Sequence, residues 1–235
     1  MIKQAVILAA GKGTRMLDLT NDQAKPMIKV AGRSLIYRIM DQLIDYGIDK
    51  IVINTFYHAE KLENHIQAYD KPRDVELKIV RETELLETGG GIINMLPYLD
   101  KKPFFVVNGD ALWVGDNVFS HLNGQWTDNM SALFLLFQKN HVIGYRHGGD
   151  FNLGPQNEIL DDTANSNKEY VFAGAHIASY DNFVSMETKK IRLMDIYNQG
   201  LCYKDMYGAV FDGASFLHVG DKAAVQESEV FLRKS

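Results

Sequence analysis

The sequence predicts an α/β protein with a single domain, in which helices flank a mixed, mostly parallel sheet. Short apolar runs at residues 5–8, 51–53 and 104–107 have the composition of buried strands, and they alternate with segments whose apolar residues recur at helical spacing. This alternation is typical of β-α-β units with parallel strands. The 235 residues carry no internal repeat and no Pro- or Ser-rich linker, which favours one domain.

The first half of the chain is predicted to alternate strands and helices. The clearest helix follows Ser34, a favourable N-cap, and ends before Gly47, because the apolar residues between them fall on one helical face. Residues 75–80 alternate polar and apolar side chains, as expected of a strand near a sheet edge. The predicted elements are a strand at 5–8, an extended piece at 27–30, a helix at 35–46, a strand at 51–53, a short helix around Leu62 and Ile66, a strand at 75–80, a helix from an N-cap at Thr88 to Pro97, and a strand at 104–107.

The second half is predicted to be less regular, with boundaries that rest on Gly, Pro and capping residues. Its elements are a helix at 118–126, a strand at 131–137, a hairpin-like region from 148 with a turn at 154–155, a polar and mobile surface loop at 161–167, a strand at 170–179, a helix at 191–198, two short strands about Gly208 within 201–211, and a last helix from Asp221.

Composition excludes several classes of function. With 25 Lys and Arg against 30 Asp and Glu, the formal net charge is −5, so no basic field indicates nucleic-acid binding. No stretch reaches the ~18 apolar residues of a membrane helix, and the chain opens with a strand rather than a signal peptide. Cys202 is the only cysteine, which excludes an intramolecular disulfide, and it is expected to be a small residue in a strand. We therefore expect a cytoplasmic protein without nucleic-acid or membrane partners.

A glycine-rich loop follows the first strand. Its residues, from the end of the strand onward, are Leu8, Ala9, Ala10, Gly11, Lys12, Gly13, Thr14 and Arg15. Backbone N–H groups after such a strand can face an anion, and Gly11 and Gly13 lack the Cβ atoms that would keep a phosphate or a base away. Arg15 and Lys25 supply cations for phosphate oxygens. Met16 stands where a dinucleotide fingerprint needs its third glycine, and the phosphate-loop motif is absent.

This stretch, continued through Thr20 to Lys25 and Pro26, resembles the signature of the sugar-1-phosphate nucleotidylyltransferases, roughly L-A-A-G-x-G-T-R-x-x-P-x-T-x-x-x-P-K-P. It departs from the signature at Asp18 and Ala24, where that family usually has proline. The resemblance implies a Rossmann-like domain of the nucleotide-diphospho-sugar transferase type over residues 1–235. Residues 1–115 would form the nucleotide-binding half and residues 116–235 the half that binds the acceptor sugar phosphate. The nucleotide would then be contacted by Leu8, Ala9, Ala10, Gly11, Gly13 and Thr14, while Arg15 and Lys25 would hold phosphates.

A second glycine run, Leu86-Glu87-Thr88-Gly89-Gly90-Gly91-Ile92, precedes a helix. Because three glycines at a helix start disfavour the helix, we expect a ligand to approach backbone N–H groups there; the alternative is a flexible turn. The run is similar to the L-E-T-G-G-G segment of bacterial N-acetylmuramate 1-phosphate uridylyltransferases. That resemblance implies that Glu87, Thr88, Gly89 and Gly90 border the base and the sugar.

Asp110 follows the buried strand at 104–107, after Asn108 and Gly109. A carboxylate in this position can hold Mg²⁺ against the α-phosphate of a nucleotide, and the alternative is a helix cap or turn residue. We predict that Asp110 is the metal ligand and a catalytic residue, together with Arg15 and Lys25, and that Mg²⁺ is the cofactor. Trp113 either walls the acceptor side of the pocket or lies in the core.

The residues predicted to bind the sugar phosphate are Asn108, Trp113, Asp150, Gly174 and His218. Asp150 lies in a G-D-F segment similar to one in the family, with a turn residue as the alternative, and Gly174 interrupts a strand, where ligands often approach closely. His218 stands where the family shows the Asp of W-x-D-x-G-T, its second metal ligand, and imidazole is a poor ligand for Mg²⁺. Asp212 is an alternative carboxylate, while His218 could bind a phosphate, orient a water or lie in the core.

The predicted reaction is Mg²⁺-dependent transfer of a nucleoside monophosphate from a nucleoside triphosphate to a sugar 1-phosphate, which gives a nucleotide sugar and pyrophosphate. The second glycine run and the His218-Val219-Gly220 segment look most like the branch that uses UTP and N-acetylmuramate 1-phosphate in peptidoglycan recycling. Mannose-1-phosphate guanylyltransferase, glucose-1-phosphate uridylyl- or thymidylyltransferase and a cytidylyltransferase of a phosphorylated alcohol are alternatives. A catalytically weak nucleotide-sugar sensor is the alternative from another class. We expect a monomer or a weak homodimer.

Overall fold

Strands and helices alternate along the chain in the computed structural model, which describes residues 1–160, 167–200 and 205–234. Its strands are β1 (Gln4–Leu8), β2 (Lys29–Val30), β3 (Arg33–Ser34), β4 (Lys50–Thr55), β5 (Glu76–Arg81), β6 (Phe104–Asn108), β7 (Trp113–Gly115), β8 (Ala132–Gln138), β9 (Val142–Ile143), β10 (Tyr170–Ala178), β11 (Met206–Val210) and β12 (Ala214–Leu217). Its α-helices are α1 (Leu35–Tyr46), α2 (Ala59–Gln67), α3 (Glu87–Met95), α4 (Val118–Gln125), α5 (Leu193–Gly200) and α6 (Lys222–Leu232). Within these described ranges no helix is long and apolar enough to cross a membrane.

Seven of these strands form one sheet in the order β11-β8-β10-β6-β1-β4-β5. Four neighbouring pairs are parallel (β1–β4, β1–β6, β4–β5 and β8–β11), whereas β10 is antiparallel to both of its neighbours. The predicted mixed, mostly parallel sheet is therefore confirmed. β5 is an edge strand, as the alternating pattern at 75–80 predicted. Two smaller sheets have the orders β7-β12-β9 and β2-β3.

Side chains of the central strands alternate between two apolar clusters, one on each face of the sheet. In β1, Ala5 and Ile7 pack in the cluster beneath α1, α2 and α4, whereas Val6 packs in the cluster beneath α3 and α5. Phe105 and Phe104 of β6 divide between the clusters in the same way. Because helices cover both faces, these strands are continuous apolar runs in the sequence, which explains why they were predicted correctly.

The capping residues of α1 predicted its boundaries. The helix begins directly after Ser34 and ends before Gly47, whose φ of +107° lies in the left-handed region that favours glycine. The N–H of Gly47 donates to the carbonyl oxygens of Leu43 and Ile44, which closes the helix. Ser34 occupies the N-cap position, but its hydroxyl lies 2.9 Å from Nε2 of His65 and makes no cap bond.

Two segments differ from their predictions. α3 begins at Glu87, one residue before the predicted N-cap Thr88, and the Thr88 hydroxyl instead accepts the N–H of Leu193 at 2.9 Å. β11 runs unbroken through Gly208 because all of its residues pair in parallel with β8, so the predicted pair of short strands about Gly208 is wrong. Cys202 and residues 161–166, most of the predicted polar loop, lie outside the described residues.

Four parallel strands end at the same edge of the sheet. β1 ends at Leu8, β4 at Thr55, β5 at Arg81 and β6 at Asn108. Ligands of open α/β sheets bind beyond the carboxyl ends of the strands. The glycine-rich loop, the turn before α3 and Asp110 all follow strands at this edge, so the fold brings together segments that lie far apart in the sequence.

Candidate functional site

A cavity of about 350 Å³ lies beyond the carboxyl ends of β1 and β6. The glycine-rich loop forms one wall, and another is formed by Leu85, Glu87 and Thr88, before and within the start of α3. The predicted site residues that line the cavity are Leu8, Ala9, Ala10, Gly11, Gly13, Thr14, Arg15, Lys25, Glu87, Thr88, Asn108 and Asp110. The fold therefore gathers most of the predicted nucleotide-binding and catalytic residues around one space, and the role of each remains a prediction.

Gly13 shapes the glycine-rich loop through its backbone conformation. Its φ of +60° lies in the left-handed region, and it precedes a short 3-10 helix at Thr14–Thr20. A Cβ at this position would lie 2.9 Å from the Cβ of Lys25 and 3.2 Å from Cγ2 of Thr20. Gly13 therefore lets the loop fold closely over the segment that carries Lys25. Gly11, by contrast, lines the cavity and has open space where its Cβ would be, so no protein neighbour requires glycine there.

Lys25 and Asp110 form an ion pair in the cavity. Lys25 is only 8% exposed, and its Nζ binds Oδ2 of Asp110, whose side chain is 38% exposed. Arg15 lines the same cavity with an exposed side chain. A lysine ammonium has three N–H donors and an arginine guanidinium has five, so this arrangement can hold several phosphate oxygens while Lys25 keeps its bond to Asp110.

The donor set around Asp110 fits a magnesium ion that arrives with a nucleotide. No group of three or more His, Cys, Asp or Glu is arranged to hold a metal ion in the ranges that the structure describes. Mg²⁺ is usually bound by one or two carboxylates together with substrate phosphates rather than by an all-protein cage. Asp110 lines the cavity beside two cations suited to phosphate, so its carboxylate meets that requirement.

His218 lies beside the cavity, where Gly220 contributes to the lining. Burial lowers the pKa of His218; the charge of Asp110 opposes this effect, and Lys25 and Arg15 add to it. Its Nδ1 is buried and has no hydrogen-bond partner within the described part of the chain. The carbonyl group of Gly144 accepts a hydrogen bond from the ring, so a neutral imidazole can only accept at Nδ1, for example from a water. Of the roles predicted for His218, this geometry fits the orientation of a water, and that role stays a prediction.

Asp212 does not supply the second metal-binding carboxylate that His218 replaces in this sequence. It lines a separate cavity of about 280 Å³, with Asn140, His141 and Ser215. The alternative that Asp212 shares a metal ion with Asp110 is therefore contradicted by its position.

The second glycine run serves packing between protein segments, contrary to the sequence-based expectation. The N–H groups of Gly89 and Gly90 donate to the carbonyl oxygen of Ile191 at 2.9 and 3.0 Å, so they do not face the cavity. A Cβ at Gly89 would lie 2.6 Å from Cδ1 of Ile196, and a Cβ at Gly90 would overlap the carbonyl oxygen of Lys189. Residues 189–196 thus pack directly on the start of α3, and only glycine leaves room for them.

This packing predicts opposite effects for the same substitution at two helical glycines. Gly90→Ala should destabilise the protein by roughly 1–3 kcal/mol, because the new methyl group must displace the backbone of Lys189. Gly124→Ala, in α4, should be neutral or stabilise by roughly 0.5–1 kcal/mol, because nothing lies within 4 Å of its Cβ position. Urea unfolding of both variants measures the difference. Equal stability of the two variants would show that residues 189–196 do not pack on α3 in solution.

Trp113 and Asp150 have structural roles in this fold. Trp113 is 3% exposed, its indole N–H donates to the carbonyl oxygen of Ala173 at 3.0 Å, and its ring packs against Phe119. Of its two predicted positions, Trp113 therefore occupies the one in the core. Asp150 accepts hydrogen bonds from the hydroxyl of Tyr145 and from the N–H of Phe172 in β10, so it holds its segment against β10. Neither residue lines the cavity.

Gly174 marks an irregularity in β10. Its φ is +75°, and the register of β10 against β8 shifts between Phe172 and His176. A Cβ at Gly174 would lie 3.1 Å from the Cβ of Ala111 and 3.4 Å from the Cβ of Asn108. The strand therefore needs glycine for a bulge that packs against the segment carrying Asn108 and Asp110. This packing explains the glycine without a ligand, and the ligand contact expected at Gly174 stays a prediction.

Sequence reasoning missed two polar residues at the carboxyl edge, Asn54 and Glu82. Asn54 lines the cavity, and its side-chain oxygen accepts the N–H of Ala9 at 2.7 Å. Glu82 accepts a hydrogen bond from Asn54, and burial raises the pKa of its carboxyl group. A signal was present for Asn54, which directly follows the predicted strand at 51–53 as Asn108 follows the strand at 104–107, and Glu82 lies two residues beyond the predicted strand at 75–80.

A family model and the sequences of known proteins both relate this chain to nucleotidyl transferases. The model of the nucleotidyl transferase family matches residues 4–143. The chain is 28% identical to the N-acetylmuramate alpha-1-phosphate uridylyltransferase of Caulobacter vibrioides, over 99% of this chain and 98% of that protein. It is 29% identical to the protein of the same name from Neisseria meningitidis, over 96% of each chain. The crystal structure of HddC from Yersinia pseudotuberculosis, complexed with GMP-PN, superposes with a TM-score of 0.78 over 98% of this chain and 100% of that chain, at 21% identity, and so shares its fold.

Proposed function

This chain belongs to the nucleotidyl transferase family, and from that premise we propose that it transfers uridine monophosphate from UTP to N-acetylmuramate 1-phosphate. The products are the UDP-linked sugar and pyrophosphate. The observation that carries the proposal is the placement of Arg15 and the Lys25–Asp110 pair on the same cavity as the glycine-rich loop. The choice of substrates is supported by the two uridylyltransferases that resemble this chain over nearly its whole length.

The proposed chemistry is an in-line displacement at the α-phosphorus. A phosphate oxygen of the sugar 1-phosphate forms a bond to the α-phosphorus as the bond from that phosphorus to the bridging oxygen of the β-phosphate breaks. The attacking group is already an anion, so no general base is required. Catalysis then depends on holding two polyanions together and offsetting their charge.

The residues of the cavity divide this work between them. Arg15, on the exposed side, holds the departing β- and γ-phosphates, and Lys25 contacts the α-phosphate and the acceptor phosphate. Asp110 would hold Mg²⁺, which offsets negative charge on the α-phosphate when it is bound. His218 orients a water beside the acceptor phosphate. The base and the ribose would lie between the glycine-rich loop and the wall formed by Leu85, Glu87 and Thr88, which line the same cavity.

Pyrophosphate release tests the proposal directly. UTP, GTP, CTP and dTTP are each paired with N-acetylmuramate, N-acetylglucosamine, glucose and mannose 1-phosphates in the presence of Mg²⁺. We expect release with UTP and N-acetylmuramate 1-phosphate, and a UDP-linked product by mass spectrometry. Release with GTP and mannose 1-phosphate, or only with glucose 1-phosphate, would instead assign one of the alternative sugar-phosphate activities.

A catalytically weak nucleotide-sugar sensor is the second candidate. It is motivated by His218, which offers an imidazole with a lowered pKa near Asp110 rather than a further carboxylate for Mg²⁺. A sensor would bind nucleotide in a titration and release no pyrophosphate with any pair of substrates. Turnover with any pair would exclude the sensor.

A further inference from the structure

A chain of hydrogen bonds joins the two walls of the cavity. The N–H of Ala9 donates to Oδ1 of Asn54 at 2.7 Å, and Nδ2 of Asn54 donates to Oε1 of Glu82 at 2.7 Å. Oε2 of Glu82 then accepts the N–H of Leu86 at 3.1 Å. Ala9 belongs to the glycine-rich loop, and Leu86 lies between the cavity-lining residues of the opposite wall. Asn54 is 2% exposed and Glu82 is 4% exposed, so water does not replace these bonds.

In this series of hydrogen bonds, the two terminal groups determine which atom donates and which accepts in every bond. Both ends are backbone N–H groups, which can only donate. The atom of Asn54 that faces Ala9 must therefore be the oxygen, and the amide nitrogen of Asn54 must face Glu82. Glu82 in turn has to accept at both of its oxygens, from Asn54 and from Leu86, which suits an ionised carboxylate. Burial raises the pKa of Glu82, whereas the hydrogen bonds from Asn54 and Leu86 lower it.

α3 packs directly on this pair of side chains. A Cβ at Gly91 would lie 2.7 Å from Nδ2 of Asn54 and 3.0 Å from Oε1 of Glu82. Any larger residue at Gly91 would push the two side chains apart, because both are buried and cannot swing into solvent. Gly91, the last glycine of the run, is therefore required because it leaves room for the contact between Asn54 and Glu82.

Leu86 is held from its other side as well. Its carbonyl oxygen accepts the N–H of Ile191 at 3.1 Å, while its N–H is bound to Glu82. The next residue, Glu87, has a φ of +63°, a conformation that residues other than glycine rarely adopt, and it lines the cavity with Thr88. Unusual backbone conformations persist where the surroundings enforce them. The hydrogen bonds of the Leu86 N–H and carbonyl group hold the neighbouring backbone of Glu87 in this conformation at the wall of the cavity.

We propose that Glu82 is a positioning residue that acts through Asn54 and Leu86 to fix the spacing between the two walls, and hence the fit of the nucleoside part of the nucleotide. This inference rests on the proposed function, since it places a nucleotide between the walls. Glu82 itself lies outside the lining of the cavity and does not touch the reacting phosphates. Its effect should therefore appear in the affinity for nucleotide rather than in the affinity for the sugar phosphate.

The proposal can be tested by exchanging the amide and the carboxylate between positions 54 and 82. In Glu82→Gln, the new amide group must face the amide of Asn54 or the N–H of Leu86, so one bond is lost. We expect KM for UTP to rise about tenfold or more, since hydrogen bonds to charged groups have this weight, with KM for the sugar phosphate unchanged. Asn54→Asp alone places two carboxylates against each other and should be at least as harmful.

The double variant, Asn54→Asp with Glu82→Gln, should recover most of the wild-type KM for UTP. The new carboxylate accepts from Ala9 and from the new amide, and the oxygen of that amide accepts from Leu86. The number of hydrogen bonds and the total charge are then the same as in the wild type. Recovery in the double variant cannot come from a general gain in stability, because each single change disrupts the chain of bonds by itself.

Glu84→Gln is the matched control, since Glu84 is an exposed residue of the same loop that does not line the cavity. Binding of UTP is also measured by calorimetry, so that the inference is tested even if no acceptor supports turnover. The inference is overturned if Glu82→Gln lowers only the melting temperature, or if the double variant binds UTP no better than the single variants. Wild-type protein that binds UTP but transfers uridine monophosphate to no sugar phosphate would contradict the proposed function alone.

Discussion

Lys25→Met should lower kcat by about 10³-fold or more, with a much smaller effect on nucleotide binding. Lys25 is nearly buried, lines the cavity and is paired with Asp110, so its ammonium group is held in place before the substrates arrive. Charge is redistributed over the phosphates as the new bond to the α-phosphorus forms, and a preorganised cation stabilises that state more than the ground state. Methionine approximates the length of lysine without its charge, so the loss measures electrostatics rather than an empty space.

Three measurements separate this prediction from a folding defect. Steady-state pyrophosphate release gives kcat, calorimetry gives the affinity for UTP, and thermal unfolding reports the stability of the variant. Lys29→Met is the matched control, because Lys29 is an exposed residue of β2 that does not line the cavity. Lys25→Ala should show the same loss of turnover as Lys25→Met. A folded Lys25→Met variant with a near-normal rate would remove Lys25 from the catalytic residues.

The sheet and the glycine-rich loop could be predicted because their causes are local in the sequence. A strand covered by helices on both faces must be apolar throughout, so β1 and β6 stand out as short hydrophobic runs. The end of a parallel strand is the usual place of a ligand, which directs attention to the residues after Leu8 and Asn108. The structure brings both segments to one cavity, as those positions implied.

The errors concern residues whose neighbours are distant in the sequence. Gly89 and Gly90 were interpreted as ligand contacts because the sequence does not reveal that Ile191 and Lys189 pack on them, about a hundred positions away. Trp113 is similar, because the partner of its indole N–H is the carbonyl group of a different strand. A glycine run shows that something approaches the backbone closely, but whether that is a ligand or another segment depends on the tertiary structure.

Asp110→Asn should separate metal-dependent catalysis from metal-free binding. We expect kcat to fall about 10²–10³-fold, because the amide cannot supply the carboxylate that we propose for Mg²⁺. Affinity for UTP in the presence of a metal chelator should instead rise. Asp110 offsets the charge of Lys25 in the free protein, and its neutralisation leaves the cavity more positive toward a triphosphate. A residue that merely supported the fold would lower turnover and binding together.

Because kcat is expected to fall while the metal-free affinity for UTP rises, Asp110→Asn is the more demanding of the two tests of the catalytic residues. UTP is titrated by calorimetry with and without Mg²⁺, and the Mg²⁺ concentration that gives half-maximal turnover is compared between Asp110→Asn and wild type. That concentration should increase in Asp110→Asn and stay the same in Asp116→Asn, an exposed carboxylate that does not line the cavity. Since Lys25 loses its partner in Asp110→Asn, tighter metal-free binding would also show that the ion pair restrains Lys25 in the free protein. Weaker metal-free binding would mean that Asp110 acts by holding Lys25 in position, and the proposed metal ligand would have to be sought elsewhere.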